Sequence, residues 1–325
     1  MTASRAGGVV VVGSFNVDHV WHCDALPQPG ETRAGRYHSG QGGKGFNQAT
    51  ASARAGATTS FVCALGSDAG GALARALAVG DGIAMLAMDS AEPTGTAGIY
   101  VDAAGRNSIV IGAGANGALD RAFIDTQADA LSAAAVVLAQ LESPLEAIEA
   151  ALRHARAGGA VTVLNPAPAN AQTSAELLAL VDVLTPNETE FVALLARHAA
   201  TALPADAIAG LDDQTLHRLC RALLPHGTVV VTLGAAGCFA SLPGNNDSES
   251  TRWHRIAGER ATVVDTTGAG DAFNGALAAS MALDPGGDLP THLRFAGRFA
   301  ALSTERTGAA ASMPTRADVA ARFDP

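Results

Sequence analysis

The sequence has few charged residues and no run of basic ones. Charged side chains make up 16% of the chain, and 31 acidic residues outnumber 21 basic ones, which gives a formal net charge of −10. Surfaces that bind nucleic acid or anionic lipid need clustered lysine and arginine to displace counterions. We therefore expect neither a nucleic acid nor a membrane as partner. An acidic protein can still bind a nucleotide, because backbone amides and Mg²⁺ attract its phosphates.

Features of a secreted or membrane-spanning protein are also missing. The four cysteines are scattered, with no Cys-x-x-Cys pair and no histidine at metal-ligand spacing. This spacing indicates neither a zinc site nor a disulfide framework. The first apolar run, Val9 to Val12, is far too short for a signal peptide or a membrane span. We expect a cytoplasmic protein whose thiols are reduced.

Aromatic residues are scarce, at 4%, whereas alanine, glycine and valine are abundant. This composition suits short buried strands that alternate with alanine-rich helices. Val9 to Val12 predicts a first strand, and Lys44 to Ala55 predicts a first helix. Beyond about Asp120, helical stretches separate further predicted strands at 135–138, 160–164, 181–184 and 228–233. The alternation predicts an α/β fold with parallel βα units, and the polar run from Pro243 to Ser250 predicts a hairpin tip.

Two segments of the N-terminal half lack a helical period and have the pattern of β structure. Residues 21–39 hold two prolines, a glycine and a short alternating piece from Thr32 to Tyr37. Residues 98–111 contain two alternating strands around a turn with a glycine. Together they predict a small sheet beside the main one, placed to act as a lid.

The segment from Val264 to Leu277 gives the strongest functional signal. Its pattern predicts an apolar strand, a glycine-rich turn and a small-residue helix with one acid in the first turn. Unpaired N–H groups at a helix start bind anions, and glycines let a phosphate approach them closely. We expect the turn at 268–270 to cradle a phosphate with Asp271 beside it. On local sequence alone, a structural turn with a capping aspartate fits equally.

Other candidate ligand groups follow the first strand and open the first helix. Ligands of doubly wound sheets collect at the carboxyl ends of strands, where Asn16 and Asp18 are expected. Residues 40–47 bring glycines, Lys44 and Asn47 to the helix start, where both side chains can bond ligand hydroxyl groups. The segment is not a Walker A loop, because Gly45 stands where Ser or Thr would follow the lysine. A cap at Asp18 and a purely structural glycine turn remain alternatives.

Two further segments allow more than one interpretation. Asn187 and Glu190 have the spacing of a capping box, while their oxygens could also hold waters around Mg²⁺. Residues 112–117 formally match the dinucleotide fingerprint G-x-G-x-x-G. The strand before them has the pattern of a hairpin arm, not of a strand in a βαβ unit, so we do not expect a dehydrogenase.

Taken together, these residues resemble the ribokinase-like (PfkB) family of sugar kinases over nearly the whole chain. The similarity includes residues 13–19, 42–49, 114–116, 140–146, 165–169, 185–190 and the signature at 265–277. It implies a three-layer α/β/α sandwich with a mostly parallel central sheet. It also implies one domain over residues 1–325, with a β lid formed by about 20–40 and 97–112 that joins two subunits in a homodimer.

The resemblance implies a role for each matching residue. The catalytic set would be the base Asp271 and an anion hole at Gly268, Ala269 and Gly270. The sugar would be bound by Asn16, Asp18, Gly43, Lys44, Asn47, Glu142 and Asp271. The nucleotide would contact Asn187, Thr232, Gly234, Gly268 and Gly270, with Glu190 in the Mg²⁺ region. A K⁺ ion would lie near Asp265, Thr267, Ser303, Arg306, Gly308 and Ser312, several of them acting through backbone carbonyls.

The implied activity is transfer of the γ-phosphoryl group of ATP to a small sugar, with the 5-hydroxyl of D-ribose as expected acceptor. A different pentose, a hexose or a nucleoside is the alternative acceptor. A non-catalytic sugar sensor is a third hypothesis, which the presence of Asp271 and the glycine turn disfavours. Phe46 and Gln41 depart from the family pattern and leave the sugar preference open. Since a helix start favours the charged form of a carboxylate, we expect Asp271 to be a weak base.

Overall fold

The computed structural model describes residues 8–244 and 252–324. Its strands, in chain order, are β1 (Val9–Val12), β2 (Asn16–His22), β3 (Arg36–Gly42), β4 (Thr59–Gly66), β5 (Ala84–Ser90), β6 (Gly95–Val101), β7 (Asn107–Gly112), β8 (Val136–Ala139), β9 (Val161–Leu164), β10 (Val183–Leu184), β11 (Thr228–Thr232), β12 (Cys238–Ser241) and β13 (Trp253–Ile256). Its helices are α1 (Lys44–Arg54), α2 (Ala69–Gly80), α3 (Arg121–Thr126), α4 (Ala128–Ala133), α5 (Leu145–Gly158), α6 (Ala175–Leu178), α7 (Glu188–His198), α8 (Asp213–Leu223), α9 (Ala269–Leu283), α10 (Leu289–Ser303) and α11 (Arg316–Phe323).

The central sheet has the strand order β13-β12-β11-β10-β9-β8-β1-β4-β5. Neighbouring strands from β5 to β11 run parallel, and β12 and β13 are added as antiparallel strands. The strands predicted from the alternating pattern are therefore confirmed, with small shifts at their ends. Parallel neighbours place the carboxyl ends of β1, β8, β9, β10 and β11 at one edge of the sheet, which is where ligands collect.

The helices cover both faces of this sheet. In β1, Val10 and Val12 pack into one buried cluster with residues of α3 to α8, whereas Val9 and Val11 pack into another with residues of α1, α2 and α9 to α11. Because successive side chains of a strand point to opposite faces, a strand of four buried valines must lie between two helical layers. The predicted three-layer α/β/α sandwich is confirmed.

A separate small sheet has the order β3-β2-β6-β7. Its third strand in chain order, β6, pairs parallel with β2 and antiparallel with β7. The strand expected at Thr32 to Tyr37 was wrong in position, because pairing with β2 runs from Arg36 to Gly42. The same pairing makes Asn16 and Asp18 residues of β2, which begins directly after the short loop that follows β1. The small sheet is confirmed, and its action as a lid stays a prediction.

Three further segments were assigned from the sequence, at Val264, at Pro243 to Ser250 and at 112–117. The apolar strand expected at Val264 is absent from the described residues: Val264 is 60% exposed, and its N–H and that of Asp265 both donate to the Thr304 carbonyl, not to a strand. The hairpin tip expected at Pro243 to Ser250 falls largely on residues outside the described part, between antiparallel β12 and β13. Residues 112–117 begin at the last residue of the hairpin arm β7, as expected.

No helix in residues 8–244 and 252–324 has the length and apolar character needed to cross a bilayer.

Candidate active site

The signature segment forms a helix start that is built on glycine. Gly268 caps α9 with a φ of 76°, and a Cβ there would lie 2.9 Å from the Cβ of Ala309. Only glycine fits both constraints without strain. The N–H of Ala269 donates to the Thr266 carbonyl at 3.1 Å, so it is not free for an anion. The N–H groups of Gly270 and Asp271 have no hydrogen-bond partner among the described residues, and they are the donors that the turn offers.

Asp271 is held in one orientation by two amide side chains. It is 6% exposed, and its Oδ2 accepts from Asn47 Nδ2 and its Oδ1 from Gln48 Nε2, each at 2.9 Å. Burial raises the pKa of Asp271, although Lys44 and the two amides oppose the shift. The expectation that the helix start makes this carboxylate a weak base was therefore wrong, because desolvation outweighs the dipole and the donors. A raised pKa makes Asp271 a stronger base.

Two connected cavities meet at the start of α9. The smaller, about 170 Å³, is lined by polar side chains and the glycine turn, among them Lys44, Asn187, Glu190, Thr232 and Asp271. The larger, about 760 Å³, is mostly apolar and is lined among others by Gly234, Ile256, Val263, Phe273 and Ala300. Both cavities share Asn187, Thr232, Thr266, Ala269 and Gly270. An anionic group at the junction would face the N–H groups of α9, and an apolar group would extend into the larger cavity.

Lys44 lies among carboxylates at the small cavity. Burial disfavours its charge, but Asp271, Glu142 and Glu190 outweigh that effect and raise its pKa. Its backbone N–H and the hydroxyl of Ser14 both donate to Glu142 Oε2, at 3.0 and 2.6 Å. Lys44 therefore remains a cation that faces three acids. These contacts bring the loop after β8 to the start of α1.

The start of the small sheet lies beside these residues. Asn16 Oδ1 accepts from Asn116 Nδ2 at 2.8 Å, which leaves the Nδ2 group of Asn16 as the donor available to a ligand. A Cβ on Gly42 would overlap the carboxylate of Asp18. Gly43 has a φ of 88°, and a Cβ on it would lie 2.8 Å from the Asn16 nitrogen. Burial, followed by the nearby Glu142, raises the pKa of Asp18 to about 6.

The capping box expected at Asn187 and Glu190 is confirmed, and their role towards Mg²⁺ stays a prediction. Their capping box is present, with Glu190 Oε2 accepting from the Asn187 N–H at 2.9 Å, and both residues line the small cavity. Burial raises the pKa of Glu190, against the effects of Asn187 and Lys44. No group of three His, Cys, Asp or Glu side chains within residues 8–244 and 252–324 is arranged to hold a metal. This site fits Mg²⁺ that is bound mainly by nucleotide phosphates and waters, as Mg²⁺ prefers.

Asp265 connects the two loops that were predicted to hold K⁺. Its Oδ1 accepts from the Thr267 N–H and its Oδ2 from the Gly308 N–H, both at 2.9 Å. The hydroxyl groups of Ser303 and Ser312 donate to nearby carbonyls, so these residues offer backbone oxygens instead. The guanidinium of Arg306 is directed to Asp318, 4.0 Å away. The candidate ligands for a cation here are therefore backbone carbonyl oxygens of the two loops, and K⁺ binding stays a prediction.

The two departures from the family pattern point away from the cavities. Phe46 is 1% exposed and packs edge-on against Phe15, with ring centroids 5.1 Å apart, and against Phe61. Gln41 pairs with Val17 in the small sheet, so its side chain is on the face opposite to Asp18. Neither side chain reshapes the surroundings of Asn47 or Asp18.

One polar partner of Asp271 and three polar residues of the small cavity were given no role from the sequence. Gln48 contacts it directly, while Asn165, Thr185 and Asn274 line the small cavity behind it. The available signal was an amide side chain next to Asn47 in a helix that otherwise carries mostly small residues. Such a residue is costly to bury unless it is hydrogen-bonded, which makes it a candidate for a site.

Comparisons with known proteins agree with this geometry. Residues 7–316 match the family described as pfkB family carbohydrate kinase. The chain is 36% identical to ribokinase of Haemophilus influenzae over 313 residues, 95% of each protein, and 37% identical to ribokinase of Mus musculus over 323 residues, 97% of this chain and 94% of the relative. The structure of Arabidopsis thaliana ribokinase complexed with ribose and ATP superposes with a TM-score of 0.83 and 32% identity, covering 96% of this chain and 97% of that one. The chain therefore belongs to the pfkB family of carbohydrate kinases.

Proposed function

We propose that this protein transfers the γ-phosphoryl group of ATP to the 5-hydroxyl of D-ribose, giving D-ribose 5-phosphate and ADP. The observation that carries the reaction is the position of Asp271, a buried carboxylate on the wall of the small cavity next to the free N–H groups of α9. The sugar is inferred from relatives named ribokinase and from the neighbour whose structure is complexed with ribose and ATP.

Catalysis by this site rests on placing charge and the acceptor correctly. Phosphoryl transfer has a loose transition state with charge on the equatorial oxygens, so electrostatic stabilisation and alignment contribute most. The N–H groups of Gly270 and Asp271 face that charge, and Lys44 adds a cation. Asp271 takes the proton of the sugar hydroxyl. Mg²⁺, in the region of Glu190, would neutralise charge on the phosphates of ATP.

The sugar is held between the small sheet and α1 in this proposal. Asn16 and Asp18 approach from β2, Gly43 and Lys44 from the start of α1, and Glu142 from the loop after β8. Asn47 has a buried Oδ1 with no partner in the described part of the chain, and it is available to a sugar hydroxyl. The adenosine part of ATP would occupy the larger cavity, beside Thr232 and Gly234.

We also propose K⁺ as an activator at the Asp265 loops. Asp265, Thr267, Ser303, Arg306, Gly308 and Ser312 belong to two segments joined by the hydrogen bonds of Asp265. The segment 265–267 leads directly into the glycine turn, so a cation there would fix the anion hole. The cytoplasmic location expected from the sequence stays a prediction.

The raised pKa of Asp18 means that its protonated form favours the folded state, while we expect its ionised form to bind the sugar. Its folded-state pKa of about 6 exceeds the ordinary value of 3.8, so its stabilising contribution is complete below about pH 4 and lost as pH rises through 6. We expect Asp18→Asn to unfold at a higher temperature than wild type at pH 8, with the difference shrinking towards pH 4.5. ADP release with ribose should be lost in the variant, and KM for ribose in wild type should rise below pH 6. Equal differences in melting temperature at both pH values would contradict this assignment.

A homodimer through the small sheet is proposed from its uncovered apolar face. Ile109 and Ile111 are 51% and 53% exposed and lie on the same face as Asp18, because Ile111 pairs with Ala97 and Ala97 with Asp18. We expect Ile109→Lys to convert a dimer into a monomer in light scattering. Val79→Lys, at an 80% exposed position on α2, is the matched control and should stay dimeric. A monomeric wild type, or a dimeric Ile109→Lys, would rule out this interface.

The function is tested by measuring ADP release with ATP, Mg²⁺, K⁺ and a panel of D-ribose, 2-deoxyribose, fructose and nucleosides. The proposal predicts the highest kcat/KM with D-ribose. A higher value with another acceptor would assign the chain to a different sugar of the same family. Ribose binding without ADP release from any acceptor would indicate a sensor.

A further inference from the structure

A continuous chain of buried polar side chains runs behind the base. Gln140 Nε2 donates to Gln48 Oε1, and Gln48 Nε2 donates both to Asp271 Oδ1 at 2.9 Å and to Asn165 Oδ1 at 3.0 Å. Gln140 and Gln48 are fully buried, and Asn165 is 6% exposed. We call these three residues the amide chain. It joins the loop after β8, helix α1 and the loop after β9 to the first turn of α9.

The Asp271 carboxylate, at the end of the amide chain, fixes which group donates and which accepts in each of its hydrogen bonds. An ionised carboxylate only accepts hydrogen bonds, so Gln48 must direct its NH₂ group to Asp271. Its carbonyl oxygen then needs a donor, and that donor is the NH₂ group of Gln140. Rotation of either amide by 180° would place two acceptors or two donors against each other. The chain therefore has one arrangement while Asp271 is ionised.

The other branch returns to the same helix turn. Asn165 Nδ2 donates to the Thr185 carbonyl at 3.1 Å, and the Thr185 hydroxyl donates to Asn274 Oδ1. Asn274 Nδ2 donates to the Gly270 carbonyl at 2.9 Å. The network thus holds both the side chain of Asp271 and the peptide group of Gly270, which are the base and part of the anion hole.

Stability does not account for Gln140. Its Oε1 is buried and has no hydrogen-bond partner among the described residues, and an unpaired buried acceptor is unfavourable. A methionine of similar length would remove this unpaired acceptor, but it would leave Gln48 Oε1 without its donor, so the two residues differ mainly in whether Gln48 is held. The NH₂ group of Gln140 is the group that acts on the site, because it fixes the orientation of the Gln48 amide.

We propose that Gln48 is a positioning residue for Asp271, with Gln140 as the residue that fixes the orientation of Gln48. The proposal rests on the proposed function of Asp271 as base. Gln48 directs one carboxylate oxygen and favours its ionised form, and Asn47 directs the other. The charged groups that face Asp271 from the surrounding elements are Lys44, Glu142 and Glu190, and they are unchanged in the tests below.

The test compares Gln48→Met and Gln140→Met with a matched control on the same helix. Ser52→Ala removes a buried hydroxyl group of α1 that accepts from the Thr59 hydroxyl, outside the site. We expect Gln48→Met to lower kcat by about 10²-fold, as misplacement of a reacting group does, with KM for ATP nearly unchanged. The acid limb of its pH–rate profile should move to higher pH. Gln140→Met should give smaller shifts in the same directions with little change in melting temperature, because an unpaired Gln48 Oε1 replaces the unpaired Gln140 Oε1. Ser52→Ala should leave kcat and the profile unchanged.

A direct titration separates this proposal from the proposed function. The carboxyl carbon of Asp271, assigned with Asp271→Asn, is followed by ¹³C NMR against pH, with no substrate present. A higher pKa in Gln48→Met supports the proposal even if wild type has no kinase activity, a result that would overturn the function alone. An unchanged pKa, or wild-type kcat and pH profile in an active enzyme with either methionine variant, would overturn the positioning role. If Gln48→Met does not fold, the same measurements on Gln140→Met provide the test, because Gln140 does not contact Asp271 directly.

Discussion

Asp271→Asn is expected to lower kcat with D-ribose by roughly 10²–10⁴-fold, the usual contribution of a general base. Binding of ATP should change little, because the N–H groups of α9 and the larger cavity are unaltered. The variant should also fold. Asn47 Oδ1 is buried and unpaired, so rotation of that amide lets it accept from the new NH₂ group, and the neutral side chain avoids the cost of burying a charge.

The measurement is ADP release under saturating substrates together with calorimetric titration of an ATP analogue. A matched change outside the site is Asp213→Asn, an ion-pairing surface residue at the start of α8, which should keep wild-type turnover. Weak nucleotide binding with normal turnover in Asp271→Asn would contradict the assignment of the base.

Gly270→Ala is expected to preserve the fold and to lose most of the activity. A Cβ on Gly270 meets no atom within 4 Å, and Gly270 lines both cavities, so the methyl group projects into the space for the phosphates. We expect kcat/KM for ATP to fall by about 10²-fold, as on loss of one anion-hole donor, with an unchanged melting temperature.

Gly268→Ala is the comparison variant, because glycine is needed there for the stability of the fold and not only for ligand binding. Its φ of 76° and the 2.9 Å approach to Ala309 predict a lower melting temperature as well as lower activity. Thermal unfolding and ADP release of both variants provide the comparison. If Gly270→Ala unfolded at a much lower temperature, or kept full activity, the methyl group would not project into the phosphate space.

Local patterns were sufficient to predict the layers of the fold and several caps. The four valines of β1 predict a strand between two helical layers, and the Asn187–Glu190 spacing predicts the capping box that the structure contains. Each depends on residues within one or two turns of chain. The prediction of a strand at Val264 was wrong because this stretch bonds to the Thr304 carbonyl and its neighbour Val263 lines the larger cavity, and no strand among the described residues pairs with it.

The chemistry of the site depended on contacts that no local pattern contains. Asp271 and Gln48 are 223 positions apart in the chain, yet they are hydrogen-bonded. Burial of the Asp271 carboxyl raises its pKa, whereas the helix start alone would lower it. Likewise, the Ala269 N–H donates to the Thr266 carbonyl because of the backbone conformation before α9, which no residue pattern specifies. Family resemblance supplied the residues, and the structure supplied their hydrogen bonds.

The most direct test of the account is a crystal structure with D-ribose, ADP, Mg²⁺ and aluminium fluoride, which imitates the transferred phosphoryl group. We expect the fluoride ligands to accept from the N–H groups of Gly270 and Asp271, and the ribose 5-hydroxyl to lie about 3 Å from a carboxylate oxygen of Asp271. A different ribose hydroxyl facing the aluminium, or a carboxylate of Asp271 turned away from the sugar, would contradict the account.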